Sequence, residues 1–379
     1  MRSVKTKLFS LALAVSMVLA LAGCNMSAPS TVGSIGGVEI PAGIYLMAQY
    51  NAYNTASGVA DLATGETASD VKTVLKAECT GTIGDEEVTA TGSEYVARLT
   101  TRSLEYYAAV EKEFADRNGV LDDAATAEAA NSADSLWSSN GDLYTANGIA
   151  KSTVETYLLN TQKAKALLKM TYGAGGSAPV TDDEYTAYVN DSCYYIEAVQ
   201  FPLMNYSSYT FADDDQKAAI RASAESCLAE LKETATAETA SNSALYTAAM
   251  TYVPQAMSAL GTDMDASQAV YYAASQLYTP DDLASYGSDE YNNLTDPLDE
   301  AGLNNWTVID LGTTILVARR IDPFKTYSVE DLNNMYDLLS DMKLTDLQND
   351  LYAAGAALEH DLNSSAMNTY SASKIKKNV

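Results

Sequence analysis

Apolar positions recur at helical spacing through most of the chain. Beyond Ser93, the residues Val96, Leu99, Tyr107, Val110 and Phe114 fall on one face of a helix that Gly119 is placed to stop. A second helix is expected over Asp123–Trp137, with Gly141 and Gly148 punctuating a shorter helical piece. Ser152 is placed to cap a long helix whose Val154, Tyr157, Leu158, Ala164, Leu168 and Tyr172 share a stripe, ended by GAGGS. Thr181 and Glu184 form a capping box that opens one more short helix. Later, Val329, Leu332, Tyr336 and Leu339 make one stripe and Leu347, Leu351, Ala354 and Leu358 another, with a kink or fresh start after Thr345. His360 falls on this last predicted helix.

Strand-like alternation is confined to a few places. Val32, Ile35, Val38 and Ile40 alternate around a Gly-Gly pair, and Pro41 stands where a helix could start. Residues 55–92 show weak periodicity and read as a loop-rich insertion. CYYIEAVQFPL, Cys193–Leu203, predicts a strand that opens a new unit, and the acids of DDDQKAAIRASAESCLAELKET suit the N-terminus of the helix after it. Residues 235–292 read as mostly helical, and WTVIDLGTTILVARRIDPF as two strands meeting at Gly312. The fold class is therefore mainly α with a small α+β insertion. The expected organisation is a helical domain in two parts, 32–192 and 326–379, interrupted by an α+β domain at 193–325.

At 379 residues the chain is long enough for two domains. It carries 50 Asp and Glu against 23 Lys and Arg, a net charge of -27, which repels a phosphate backbone and excludes nucleic acid as a partner. Arg2, Lys5 and Lys7 precede the apolar run LFSLALAVSMVLALA, and LAGC closes it at Cys24. The run is shorter than the roughly 20 residues a membrane-spanning helix needs. This resembles the signal peptide and lipobox of bacterial lipoproteins. It implies cleavage after residue 23, lipidation of Cys24, a flexible tether over 24–31, and localisation on the extracytoplasmic face of a bacterial cell membrane. Cys79, Cys193 and Cys227 remain, and without any CxxC they read as small buried apolar residues, with at most one internal disulfide.

Other chemistry finds little support. Asp263, Asp265 and Ser267 resemble the start of an EF-hand loop, but Gln268 replaces its glycine and Ala274 its bidentate glutamate, so no metal is expected. No phosphate-cradling glycine motif occurs, and no cofactor is expected. Tyrosine is abundant, 26 residues against 5 phenylalanines. Tyrosine rings suit a groove that meets varied apolar peptides while keeping hydroxyls wet. The candidates are Tyr95, Tyr106, Tyr107, Tyr157 and Tyr172.

The segments VGSIGGVEIPAGIY, LYTANGIAKSTVETYLLNTQKAKALLKMTYG and VTDDEYTAYVNDSCYYIEAVQFPL, followed by DLGTTILVARRIDPF, resemble in their order the extracytoplasmic foldases, the PrsA lipoproteins and SurA-type chaperones. The resemblance implies a helical SurA-type chaperone domain interrupted by a parvulin-like domain, with unfolded or newly exported polypeptides as partners. Active members carry a histidine in the first and last strands of the parvulin domain. The corresponding positions here hold Ala198 and Thr314, and the Gly-Gly-Asp-Leu-Gly segment is missing. No catalytic residue is therefore assigned. The expected function is ATP-independent binding of non-native polypeptides by a membrane-anchored lipoprotein. An active peptidyl-prolyl isomerase and a solute-binding lipoprotein of a transporter are the alternatives.

Overall fold

Gly36 and Gly37 both adopt positive φ, +58° and +81°. Glycine enters this two-residue hairpin backbone without steric cost. The pair joins β1 (Thr31–Ile35) to β2 (Val38–Pro41), and α1 (Ala42–Gly58) starts directly after Pro41. The computed structural model describes residues 29–63, 67, 70–236, 242–284 and 288–377, so Cys24 and the apolar run before it lie outside the described residues. No helix among the described residues is long and apolar enough to cross a membrane. The chain divides into two compact units, the first formed by Met1–Lys163 with Leu351–Val379 and the second by Ala164–Asp350.

In the first unit β3 (Ala60–Asp61), α2 (Val71–Lys76), β4 (Glu78–Ile83) and β5 (Glu86–Thr91) correct the loop-rich expectation for 55–92, because the three strands form an antiparallel sheet. Only Cys79 and Val88 of the two longer strands are buried, while Thr80, Thr82 and Thr89 face solvent. The apolar alternation is too sparse to read from sequence. Thr91 and Glu94 form a capping box on α3 (Gly92–Asp116). The next helix, α4 (Asp123–Ala146), runs through Gly141, where separate pieces were expected. An interior glycine costs only about 1 kcal/mol, and Tyr144, buried with Met47, Tyr50, Ile149 and Val154, anchors the far end. Helix α5 (Lys151–Tyr172) begins one residue before the expected cap, Ser152.

In the second unit, α6 (Asp182–Ser192) starts with the Thr181–Glu184 capping box, and β6 (Tyr194–Pro202) is the strand expected at Cys193–Leu203. A short hairpin, β7 (Met204–Asn205) with β8 (Thr210–Phe211), precedes α7 (Asp214–Thr234) and α8 (Asn242–Ala259). Then come β9 (Ala273–Tyr278), α9 (Pro280–Ala284), α10 (Ser288–Ala301), β10 (Thr307–Asp310) and β11 (Thr314–Ile321). The sheet order is β10-β11-β6-β9, antiparallel throughout. Among the described residues, 235–292 are mostly helical, as expected, and strand β9 is the exception. AASQLY has no alternation of its own and extends because Tyr194–Val199 of β6 offers it a ladder. Side chains alternate across the sheet. Val199, Phe201, Ile315 and Val317 pack with α7 and α8, whereas Ile196, Ala198, Leu316 and Ala318 pack with α9 and α10.

The division also runs wider than the expected insertion at 193–325. Helix α11 (Val329–Asn333) packs on α6, with Asn333 Nδ2 donating to Asp182 Oδ1 at 3.1 Å, so both stay with the sheet. Helix α12 (Tyr336–Ala356) passes Thr345 without interruption. It stops four residues before His360, which corrects the helical reading of that residue. His360 belongs to β12 (His360–Leu362), paired antiparallel with β1 through Ile35. Leu358 prolongs the apolar stripe, but the Gly36 N–H donates to Glu359 O at 2.8 Å and captures the backbone for the sheet. Helix α13 (Ser364–Thr369) follows. The fold is mainly α with a small α+β part.

Candidate functional site

Ala198 sits on β6 and Thr314 on β11, neighbouring antiparallel strands in which Ala198 opposes Ala318 and Thr314 opposes Pro202. Both positions are even in the alternation and point to the same face. There they line one cavity of about 210 Å³ with Ile196, Gln200, Tyr278 and Leu294 among its walls. That is below the roughly 300–1,000 Å³ of a small-molecule site; it suits a single side chain or prolyl ring. The Thr314 hydroxyl donates to Phe201 O at 3.1 Å, so its proton is committed to the backbone. No histidine lines the cavity, the one histidine of the chain being in β12. With no imidazole or carboxylate among its described walls, the room offers shape, desolvation and neutral polar groups rather than proton transfer near neutral pH.

Sequence reasoning brought Ala198 and Thr314 together but missed what fixes them. On the opposite face Glu197 and Arg319 stand directly across from each other in the β6–β11 register, each side chain 1% exposed. Arg319 Nε donates to Glu197 Oε2 at 2.8 Å and Nη1 to Ala235 O at 3.0 Å. Nη2 approaches the same carboxylate oxygen to 2.7 Å as an ion pair, without the alignment of a hydrogen bond. The guanidinium lies 4.8 Å from the Trp306 ring, whose Nε1 shares the Ala235 carbonyl at 3.3 Å. A one-residue slip would turn every side chain to the other face and bury this pair apart. The sequence signal was charge inside two apolar runs, one glutamate in YYIEAVQF and an adjacent arginine pair in TILVARRI, of which Arg319 falls on the Glu197 face.

The tyrosine candidates scatter. Tyr95 is 1% exposed among Ala56, Val74 and Cys79, and Tyr107 is buried with Ile35, Ile44 and Leu104, so both are corrected to core residues with no ring face left for a partner. Burial pushes the hydroxyl pKa of both upward, Tyr107 further with Glu111 nearby. Tyr106 is half-buried, its ring 4.8 Å from that of Tyr352, over which Arg102 lies at 3.8 Å. Tyr157 is exposed. Tyr172 belongs to the second unit, its hydroxyl 3.5 Å from Asp350 Oδ2.

Cys79, Cys193 and Cys227 are free and buried. Asp265 Oδ1 accepts from the Ser267 N–H and hydroxyl, at 2.8 and 2.7 Å, as the cap of a 3-10 turn, and no group of metal-ligating side chains occurs among the described residues. His360 Nε2 lies 3.5 Å from Glu105 Oε1, whose carboxyl burial pushes up despite the pull of His360 and Arg102.

No family model matches the chain, and no curated protein matches it. Among solved structures it is similar to the foldase protein PrsA from Streptococcus pneumoniae str. Canada MDR_19A. The identity is 13%, over 77% of this chain and 98% of that one, with a TM-score of 0.31.

Proposed function

We propose that the chain is a membrane-anchored, extracytoplasmic, chaperone-like lipoprotein that holds non-native polypeptides without ATP and does not turn over X-Pro bonds. The observation that carries this reading is the cavity on the sheet: about 210 Å³, floored by Ala198 and Thr314 and without an imidazole. An isomerase must lower a barrier of about 18–20 kcal/mol, and beyond desolvation and shape the described walls supply only neutral polar groups such as Gln200 and Tyr278. A room of this size holds an apolar side chain or a prolyl ring and leaves the rest of the partner outside.

Two assays on the purified chain from Cys24 onward test the reading. Isomerisation of an X-Pro peptide should run at the uncatalysed rate, while stoichiometric protein slows aggregation of an unfolded client. Robust turnover at catalytic concentrations overturns it in favour of an active isomerase. Failure in both assays favours a solute-binding lipoprotein, for which a ligand-induced rise in melting temperature would be the sign. The anchor is tested apart, by palmitate labelling of the expressed chain with Cys24→Ala as the control.

A further inference from the structure

Within the first unit, residues Ile375, Lys376 and Lys377 are held as an extended peptide is held by a receptor. Ile375 has φ -54° and ψ 139°, and exposure alternates along the three, half-buried, exposed, half-buried. The side-chain amide of Asn147, at the C-terminal cap of α4, grips the backbone of Lys376 from both sides. Its Nδ2 donates to Lys376 O at 2.9 Å and its Oδ1 accepts from Lys376 N at 2.8 Å. Asn147 is itself fixed, since Nδ2 also donates to Leu143 O at 2.8 Å. Such a clamp reads backbone and ignores the side chain, which here points to solvent.

The neighbouring positions are chosen by chemistry. Ile375 packs against apolar cores that include Tyr50, Tyr53 and Ile149. The Lys377 ammonium lies 5.6 Å from the ring centroids of both Tyr50 and Tyr53 and donates to Asn54 Oδ1. Two aromatic faces and a carbonyl oxygen make a cation seat. The segment does not fill its surroundings. A cavity of about 160 Å³ lies beside Ile375, lined also by Leu46, Tyr50 and Tyr370. A second of about 620 Å³ lies at Lys377, with Trp137, Asn140 and Asp142 in its wall. Asp142 and the net charge of -27 favour a basic occupant.

We propose that this groove is a binding site for extended peptides that carry an apolar residue and, two positions on, a lysine or arginine, and that residues 375–377 occupy it as an internal competitor. The proposal rests on the polypeptide-binding reading for its class of partner, but its residues are remote in sequence from the sheet cavity and are tested without it.

The probe is a fluorescein-labelled peptide SASKIKK, the sequence of residues 371–377, titrated by anisotropy into the full chain. A variant with Ile375→Asp and Lys377→Asp should release the segment and bind the probe saturably, about tenfold or more tighter than the unsubstituted protein does. Adding Asn147→Ala to that variant removes two backbone hydrogen bonds and should weaken binding about tenfold or more. A probe carrying the same two aspartates should not bind. No saturable binding to a released variant that keeps its circular dichroism, or binding indifferent to Asn147→Ala, overturns the proposal. Should the released variant unfold, deuterium exchange on the unsubstituted protein decides: excess probe speeds exchange at the Lys376 amide if the groove is exchangeable, and unchanged exchange refutes it. Aggregation suppression is measured separately, so loss of probe binding with client holding intact sinks the groove alone.

Discussion

Replacing Glu197 by leucine leaves the Arg319 guanidinium buried without its counter-charge. The side chain is 1% exposed, so water neither screens the charge nor replaces the lost partner. What stays is the contact of Nη1 with Ala235 O at 3.0 Å and the Trp306 ring at 4.8 Å. Breaking a buried pair by removing one partner costs about 3–5 kcal/mol, whereas replacing both with apolar side chains is often neutral or stabilising. Against a domain stability of about 5–15 kcal/mol, the single change is a large fraction of the whole. It should lower the melting temperature of the second unit by about 6–20 °C, at roughly 2–4 °C per kcal/mol for a unit of this size. Glu197→Leu with Arg319→Met should recover most of that loss.

The reciprocal variant separates charge from packing. Arg319→Met strands a carboxyl, which can escape by binding a proton, so its penalty shrinks on acidification; the guanidinium left by Glu197→Leu has no such route. Urea unfolding followed by Trp306 fluorescence reads the second unit, with Trp137→Phe silencing the other tryptophan. The reasoning is refuted if Glu197→Leu costs less than about 1 kcal/mol, or if the double variant is no more stable than the single one.

Three further outcomes are expected. The Thr181 N–H, then its hydroxyl, hold the Glu184 carboxyl below the usual range, so this contribution is present above a carboxylate's usual pKa of about 4.3 and fades as pH falls through the lower folded value. Thr181→Val keeps the N–H and removes only the hydroxyl's share, so the melting-temperature gap between wild type and this variant should narrow on that descent, and a constant gap would count against the hydroxyl–carboxylate bond as a contributor. Gly33 has φ +115° and an added Cβ would lie 2.2 Å from Asp361 O. Gly33→Ala should therefore destabilise the first unit by more than about 1 kcal/mol and speed exchange at the Asn363 amide, which donates to Val32 O; an unchanged melting curve would show that β1 and β12 can separate freely. Burial raises the Cys79 thiol pKa and pushes those of Cys193 and Cys227 up to about 12. In a Cys24→Ser background Ellman's reagent should leave the folded chain unreacted at about pH 8 and find all three thiols in guanidinium; rapid reaction of the folded chain would contradict their burial.

Local chemistry decided what the sequence by itself determined. The Thr181–Glu184 box, the Gly-Gly hairpin and the long stripes of α3 and α5 are set by residues within a turn or two of each other, and each was legible. Strands β6 and β11 were legible because their apolar runs are long and resist a helical reading. The choice of Ala198 and Thr314 came from the resemblance of IEAVQF and LGTTILV to foldase strands, and the antiparallel register then put both on one face. The remaining strands are non-local: β9 pairs with β6 across more than one intervening helix, and β12 finds β1 from the far end of the chain. Neither AASQLY nor HDL carries a pattern that names its partner. Burial of tyrosines was hidden for the same reason. Tyr106 and Tyr107 are neighbours in sequence and alike in chemistry, yet only packing sends one into the core and leaves the other at its edge. The Glu197–Arg319 pair is the sharpest case. A charge inside an apolar strand is unfavourable until its partner is placed opposite, and only the tertiary register, joining residues 122 positions apart, supplies that partner.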